Sequence, residues 1–423
     1  MTKERLQSLD VFRGITILYM TLVNNPGSWS FIYPPLEHAE WNGCTPADLV
    51  FPFFIFIMGT AIPFAIPDKT LENSPVNKIV VRSLRIFCLG LFLNFFSNIE
   101  LFGLDGISLL FIRLTLTLGV SYALLGNFNL KVKTFLVFTI LTVLLFLSYG
   151  GIKDFQEVRV LGVLQRLGIV YFFVAVLYLK TTRKIQLLVA ITLLLGYWVV
   201  MAMVPVPGIG SANFEKGTNM AAWLDGLLLK GHMWIYTKTW DPEGLLSTVP
   251  AIASGIIGLL IGQLMNITLP KLEIVKKIIL IGVTSTVIGI LWGIIFPINK
   301  SLWTSSYVLY TSGLAILCLT FLYYTVEIAN YKKWTLFFII WGVNPMIVFF
   351  YSGIVSKVLR MIKIQNPEIV TEQISIQDYF YKFWITPTFS NPLNASLAFA
   401  LINTIFWSLI LCFFYKNKLI FKV

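Results

Sequence analysis

About twelve apolar runs of spanning length, joined by mostly short polar loops, leave this chain few folds to choose from. They lie near 9–24, 46–66, 79–99, 107–126, 132–150, 158–179, 184–204, 245–266, 275–296, 303–325, 334–358 and 395–415. Each approaches the ~20 residues a helix needs to cross a hydrocarbon core. Inside that core there is no water to satisfy backbone N–H and C=O groups, so such runs become helices. With 57% hydrophobic and only 12% charged residues, the chain is too apolar for a soluble protein. The expectation is an all-α polytopic membrane protein of about 12 transmembrane helices, residues 1–423 forming a single domain in the plasma (inner) membrane.

The first run has the basic start of a secretory signal, but Asp10 and Arg13 interrupt it and no small-residue cleavage site follows, so it reads as a retained helix. Placing the N-terminus in the cytoplasm puts Lys3, Arg5, Lys69, Lys78, Arg82, Arg85, Lys131, Lys133 and the C-terminal lysines on that side. The outer loops then hold about half as many basic residues over longer segments. The positive-inside rule therefore selects N-in and C-in, with the loops 25–45, 205–244 and 359–394 outside. The same sidedness accounts for the net charge of +12; the basic residues form no single stripe, so no nucleic-acid partner is expected. Four cysteines, Cys44, Cys88, Cys318 and Cys412, lack metal-ligand spacing, and neither a metal site nor a disulfide framework is expected.

Chemistry points to His38–Gly59, HAEWNGCTPADLVFPFFIFIMG, where one of only two histidines precedes an Asp and an apolar run. Histidine's ordinary pKa lies nearest neutrality, so beside a buried cavity it can move a proton. An interfacial anchor would look the same. Asp48 has its own alternative, because Thr45-Pro46-Ala47-Asp48 reads as N-cap, Pro at N1 and an acid at N3. Charges inside spans are expensive, which makes Arg13, Arg113 and Arg166 functional candidates, although Arg13 and Asp10 are spaced to pair on one helix. Lys78, Arg82 and Arg85 share one helix face and suit phosphate, or simply mark the cytoplasmic side. The 205–244 loop brings Trp223, Asp225, His232, Trp234, Trp240 and Asp241. Aromatic faces with carboxylates suit a sugar, whereas an interface belt explains Trp234 and Trp240 slightly better. Asp241 and Glu243 are carboxylates at the outer end of a span.

Several separated motifs resemble one family, the membrane acyltransferases related to heparan-α-glucosaminide N-acetyltransferase. They are RLQSLDVFRGITI at 5–17, VNN before the His38 stretch, RVLGVLQRLGIVYF at 159–172, WDPEGLLST at 240–248 and PINKSLWTSSYV at 297–308, in the family's order. The resemblance implies an acetyltransferase that moves an acetyl group from cytoplasmic acetyl-CoA, its donor substrate, to the amine of a glucosamine-type sugar across the bilayer. It implies His38 and Asn24 as the catalytic pair, although Asn24 also suits a loop cap. Asp48, Arg166, Asp241, Glu243, Asn299, Lys300 and Trp303 would bind the acceptor. Arg13, Lys78, Arg82 and Arg85 would bind the donor. Residues 100–157 read as a two-helix insertion, and no counterpart is expected for the luminal domain that precedes the first motif in the lysosomal enzyme, which points away from an identical heparan acceptor. A homodimer is left open.

Amine attack on a thioester needs a base for the amine proton and donors for the oxyanion, roles that suit His38 and Asn24. A covalent acetyl-histidine would use the same residues. The competing reading is a 12-helix secondary transporter of a small solute or sugar, but such folds usually carry two related halves, and no motif recurs between 1–210 and 211–423.

Overall fold

The computed structural model describes residues 6–66, 75–101, 103–369 and 371–421. Lys3, Arg5, Lys69 and Lys422, counted above for orientation, lie outside the described residues. In chain order the helices are α1 (Gln7–Val23), α2 (Val50–Ala65), α3 (Pro75–Phe95), α4 (Gly106–Leu125), α5 (Leu130–Tyr149), α6 (Val163–Lys180), α7 (Arg183–Met203) and α8 (Met220–Leu228). They continue with α9 (Leu245–Met265), α10 (Lys271–Trp292), α11 (Ser305–Tyr323), α12 (Thr335–Val343), α13 (Pro345–Met361), α14 (Ile376–Phe380) and α15 (Pro392–Lys416). A helix stands in each of the twelve expected places. By length and apolar composition ten of those described can cross a membrane, and α12 with α13 makes an eleventh if the pair is one span. Helix α1, at 17 residues, is short for a crossing.

Two expectations are corrected. The run 334–358 is not one straight helix but breaks at Asn344–Pro345 with a 70° bend. Proline has no N–H to continue the helix and drives the preceding residue out of the α region, and Asn344 sits at φ −120°. The C-terminal tail uses that break: the Asn344 amide donates to the Leu419 carbonyl at 2.9 Å, and the Phe421 N–H donates back to Asn344 at 2.9 Å. The run from 158 becomes helical only at Val163: Gly162 before it is fully extended at φ 177° and ψ −173°, and Val160 N–H donates to the His232 carbonyl at 3.0 Å. The outer loops carry elements of their own: 205–244 contains α8, and 359–394 carries a hairpin of β1 (Lys363–Gln365) and β2 (Gln373–Ser375) followed by α14.

Helices α2 and α9 form the centre. They approach closely enough that an added Cβ at Gly59, Gly258 or Gly262 would meet the facing backbone at 2.1–2.3 Å, so only glycine permits the contact. The Thr60 hydroxyl, 3.1 Å from the Gly258 carbonyl, crosses the same seam. Two thirds of the most apolar stretch of α9 is buried, against 11% of α5. The outer faces of α4, α5, α7, α10 and α15 therefore meet lipid.

The α4–α5 pair is keyed to the rest by two buried arginines. Arg113 of α4 donates to the carbonyls of Ile99 and Ser97, just past α3, at 2.9 and 3.0 Å. Arg85 of α3 donates to the Leu124 carbonyl in the last turn of α4. Each guanidinium satisfies carbonyls that the neighbouring helix end leaves without an intrahelical partner. Arg113 thus has a structural explanation for its intramembrane charge.

Candidate active site

The segment before α2 folds into a single turn, Pro46–Leu49, capped by Thr45. Asp48 reaches back so that its Oδ2 accepts from Thr45 N–H and Ala39 N–H, both at 3.0 Å, with the Thr45 hydroxyl 3.1 Å away. Its other oxygen, Oδ1, lies 2.8 Å from His38 Nδ1 and 3.2 Å from Lys300 Nζ. Capping and site chemistry were competing readings of Asp48, and the two carboxylate oxygens divide them. An imidazole that donates from Nδ1 to Asp48 leaves Nε2 as a free acceptor, the arrangement by which a carboxylate orients a histidine base. His38 is half-exposed while Asp48 is buried.

Lys300 arrives from the turn before α11. There Asn299 Oδ1 accepts from Leu302 N–H at 2.9 Å, and the Asn299 amide donates to Asn42 at 3.2 Å, which ties this turn to the His38 loop. Trp303 closes the turn at φ 53°, buried, with its indole N–H on Ser254 at 3.1 Å. Of the three residues assigned to acceptor binding in this motif, only Lys300 borders the cavity described below. Asn299 and Trp303 shape the turn that presents it.

A cavity of about 1740 Å³ begins at His38, Asp48 and Lys300 and follows α2 past Phe54, Met58 and Ala61 to Ile66, where Arg13, Arg82 and Phe421 line it. The 16 residues of α2 make it about 24 Å long. The volume exceeds the roughly 300–1,000 Å³ of a usual ligand pocket, which leaves room for two substrates. Beyond His38 the mouth is lined by Trp29, Trp41, Trp234, Tyr236 and Trp240. Trp41 and Trp240 meet edge to face at 5.2 Å, and the Trp41 N–H is held by the Phe214 carbonyl at 2.9 Å. Trp234 and Trp240, for which the interface belt is the slightly favoured reading from sequence, thus border the cavity. Asn24 ends α1 beside it, exposed, and its side chain takes no hydrogen bond among the described residues.

At the far end Arg13 pairs with Asp10 at 3.0 Å, the spacing expected on one helix, and still borders the cavity. Arg82 lies 4.8 Å above the Tyr171 ring. The phosphate face read from Lys78, Arg82 and Arg85 does not survive as a unit. Arg82 faces the cavity, Lys78 is exposed outside it, and Arg85 is buried against α4.

The carboxylates at 241 and 243 have a partner that sequence reasoning passed over. Arg159 grips Asp241 through both nitrogens, Nε to Oδ2 at 2.8 Å, and also holds Glu243. Burial alone would lower the Arg159 pKa, but Glu243 and Asp241 outweigh it and raise it. Burial alone would raise Glu243, yet Arg159 and Arg166 hold it below its ordinary value. Only Glu243 of the two acids borders the cavity; buried Asp241 also anchors Trp234 N–H at 3.0 Å. Arg166 is fully buried, bonded to Ser247 and the Gly244 carbonyl and stacked 5.1 Å from Trp303, so it supports the site from behind. Asp225 accepts from Leu245 N–H at 2.9 Å and Asp241 N–H at 3.2 Å, and burial pushes it up to about 6. Cys44 is pushed up to about 12, first by burial and then by Asp48, which removes it as a thiolate nucleophile. The available signal for Arg159 was its place as the first residue of RVLGVLQRLG, at the outer end of a span with two acids to pair.

Residues 5–213 match a family described only as a domain of unknown function, DUF5009. Heparan-alpha-glucosaminide N-acetyltransferase of Homo sapiens is 26% identical over 99% of the chain, and that of Mus musculus 25% over 99%. The chain resembles the heparan-α-glucosaminide N-acetyltransferases along nearly its whole length. It spans about 60% of the length of these relatives. The aligned stretch spans the His38 loop, the Arg159 cluster and the Lys300 turn.

Proposed function

We propose that the chain is a transmembrane acetyltransferase that takes acetyl from acetyl-CoA at the Arg82 end of the cavity and passes it to the amine of a glucosamine-type sugar at the His38 end. The observation that carries this reading is the single cavity running the length of α2 between a cationic end and a His–Asp–Lys end. Donor and acceptor then meet without any spanning helix having to move far. Arg82 and Arg13 suit the donor's phosphates, and the tryptophan-lined mouth suits the apolar face of a pyranose. With N-in and C-in topology the Arg82 end is cytoplasmic, in keeping with a plasma (inner) membrane enzyme. Among the described residues, none of 100–157 lines the cavity, which supports their reading as an accessory insertion.

In the reaction the neutral amine attacks the thioester carbon, and an N–C bond forms. His38 Nε2 takes the amine proton while Asp48 holds the ring through Nδ1. The oxyanion is met by the Asn24 amide. The C–S bond then breaks, and the proton on His38 passes to the departing CoA thiolate.

The test is His38→Ala in purified protein with labelled acetyl-CoA and glucosamine. Turnover should fall by about 10²-fold to 10⁴-fold while acetyl-CoA binding is kept. A folded variant with near-normal turnover would refute the role. Solute uptake by the parent without acetyl transfer would establish a transporter instead. Incubation without acceptor separates the routes: label retained by the parent and absent from His38→Ala means acetyl-histidine, and no retained label means direct transfer.

A further inference from the structure

We infer that Lys300 is a positioning residue that keeps His38 uncharged, and that it admits the acceptor only as a neutral amine. This rests on the reading of His38 as the base. Lys300 Nζ stands 3.0 Å from His38 Nδ1 and 3.4 Å from Nε2. A donor lying along the lone pair of one ring nitrogen would stand far from the other, because those lone pairs point away from each other in the ring plane. Near-equal distances therefore place the ammonium against the ring face. There it exerts its charge without occupying Nε2.

The charge count decides the consequence. Asp48 supplies one negative charge, and its Oδ1 is shared by His38 and Lys300. A protonated His38 would set two cations in van der Waals contact over that single carboxylate. Neutral His38 with Lys300 as an ammonium leaves the group balanced. The other titratable groups facing it do not change the count. Cys44 stays a thiol, Tyr307 donates its hydroxyl to the Asp48 carbonyl at 2.7 Å, and Tyr19 donates to the Pro35 carbonyl at 2.7 Å. Glu243 acts on Lys300 from the loop before α9 but is held by Arg159, and Glu40 is turned outward to Lys216 at 3.7 Å. An ammonium on the acceptor would meet the same repulsion from Lys300. The site so selects the nucleophilic form of the amine and prevents His38 from carrying a proton before the reaction supplies one.

The experiment reads protonation directly and needs no turnover. The chain has only two histidines, so ring-labelled histidine gives two NMR signals, assigned with His38→Gln. His232, buried and bonded to the Val158 carbonyl at 2.9 Å, reports that the fold is intact. His38 is titrated in the parent, in Lys300→Met and Lys300→Gln, and in Lys300→Arg. Like charges this close repel even at the dielectric constant of water, so both neutral variants should bind the His38 proton about tenfold more tightly or more, and Lys300→Arg should match the parent. Equal titration in the parent and the neutral variants, with the His232 signal in place, overturns the inference. Loss of the His232 signal in both neutral variants overturns it as well, in favour of a purely structural lysine. A shift found in a protein with no transferase activity would leave the effect of Lys300 on His38 standing while removing the function proposed above and, with it, the selection of a neutral amine.

Discussion

The division of labour between the two oxygens of Asp48 can be tested by comparing Asp48→Asn with Asp48→Ala. In the asparagine variant the amide oxygen can still accept from Thr45 N–H and Ala39 N–H, so the turn before α2 keeps its cap. The amide nitrogen then faces His38 Nδ1 and Lys300, both of which were served by an acceptor. A donor in that place turns Nδ1 into an acceptor and puts the ring proton on Nε2, the nitrogen that must take the amine proton. Activity should fall by about 10²-fold to 10⁴-fold, the usual weight of general-base catalysis. Stability should fall much less, by roughly 1–2 kcal/mol, the scale of one charge-assisted hydrogen bond to a lysine that is itself a quarter exposed. Asp48→Ala loses the cap too, which adds about 1 kcal/mol and leaves two backbone N–H groups without their acceptor. Acetyl transfer from labelled acetyl-CoA and thermal unfolding in detergent measure the two effects separately. Turnover within threefold of the parent in Asp48→Asn would refute the tautomer argument. Equal stability of the two variants would refute the division between the oxygens.

Three further outcomes follow from the same geometry. Arg82→Ala should weaken acetyl-CoA binding by about 1.5–3 kcal/mol, whereas Arg85→Ala should leave binding unchanged and lower thermal stability, because its guanidinium serves the end of α4; equal effects on binding would argue against the separation of these two arginines. Asp225, raised from 3.8 to about 6 by burial, binds its proton more tightly folded than unfolded, so its stabilising contribution is full below about pH 4 and is lost as pH rises through about 6. Asp225→Asn should remove that part of the pH dependence of thermal unfolding, and an unchanged profile would show that Asp225 does not titrate there. In a background without the native cysteines, Trp29→Cys should react with an impermeant thiol reagent from outside and Asn417→Cys only from the cytoplasmic side; the reverse pattern would place donor and acceptor on the wrong faces.

Much of this protein was legible along the chain, because membrane helices are specified locally. A run such as 245–266 must become a helix wherever it stands in a bilayer, and α9 does so over Leu245–Met265. The cause of the break in the 334–358 run, Pro345, also stands in the sequence, but its 70° bend depends on how the two halves pack. Thr45-Pro46-Ala47-Asp48 announced its own cap, and Asp10 and Arg13 their own pair. What no local pattern contained was which distant groups meet. Arg85 and Arg82 sit three residues apart on one helix with the same charge, yet one borders the cavity and the other closes α4, since a turn of 100° per residue sends them toward different neighbours. Arg159 finds Asp241 and Glu243 more than eighty positions away, and Lys300 finds His38 across 262. Charges in a low-dielectric interior must pair, but sequence does not say with whom; only the packing of α2 against α9, and the turn that Asn299 and Trp303 impose ahead of α11, decided those partners.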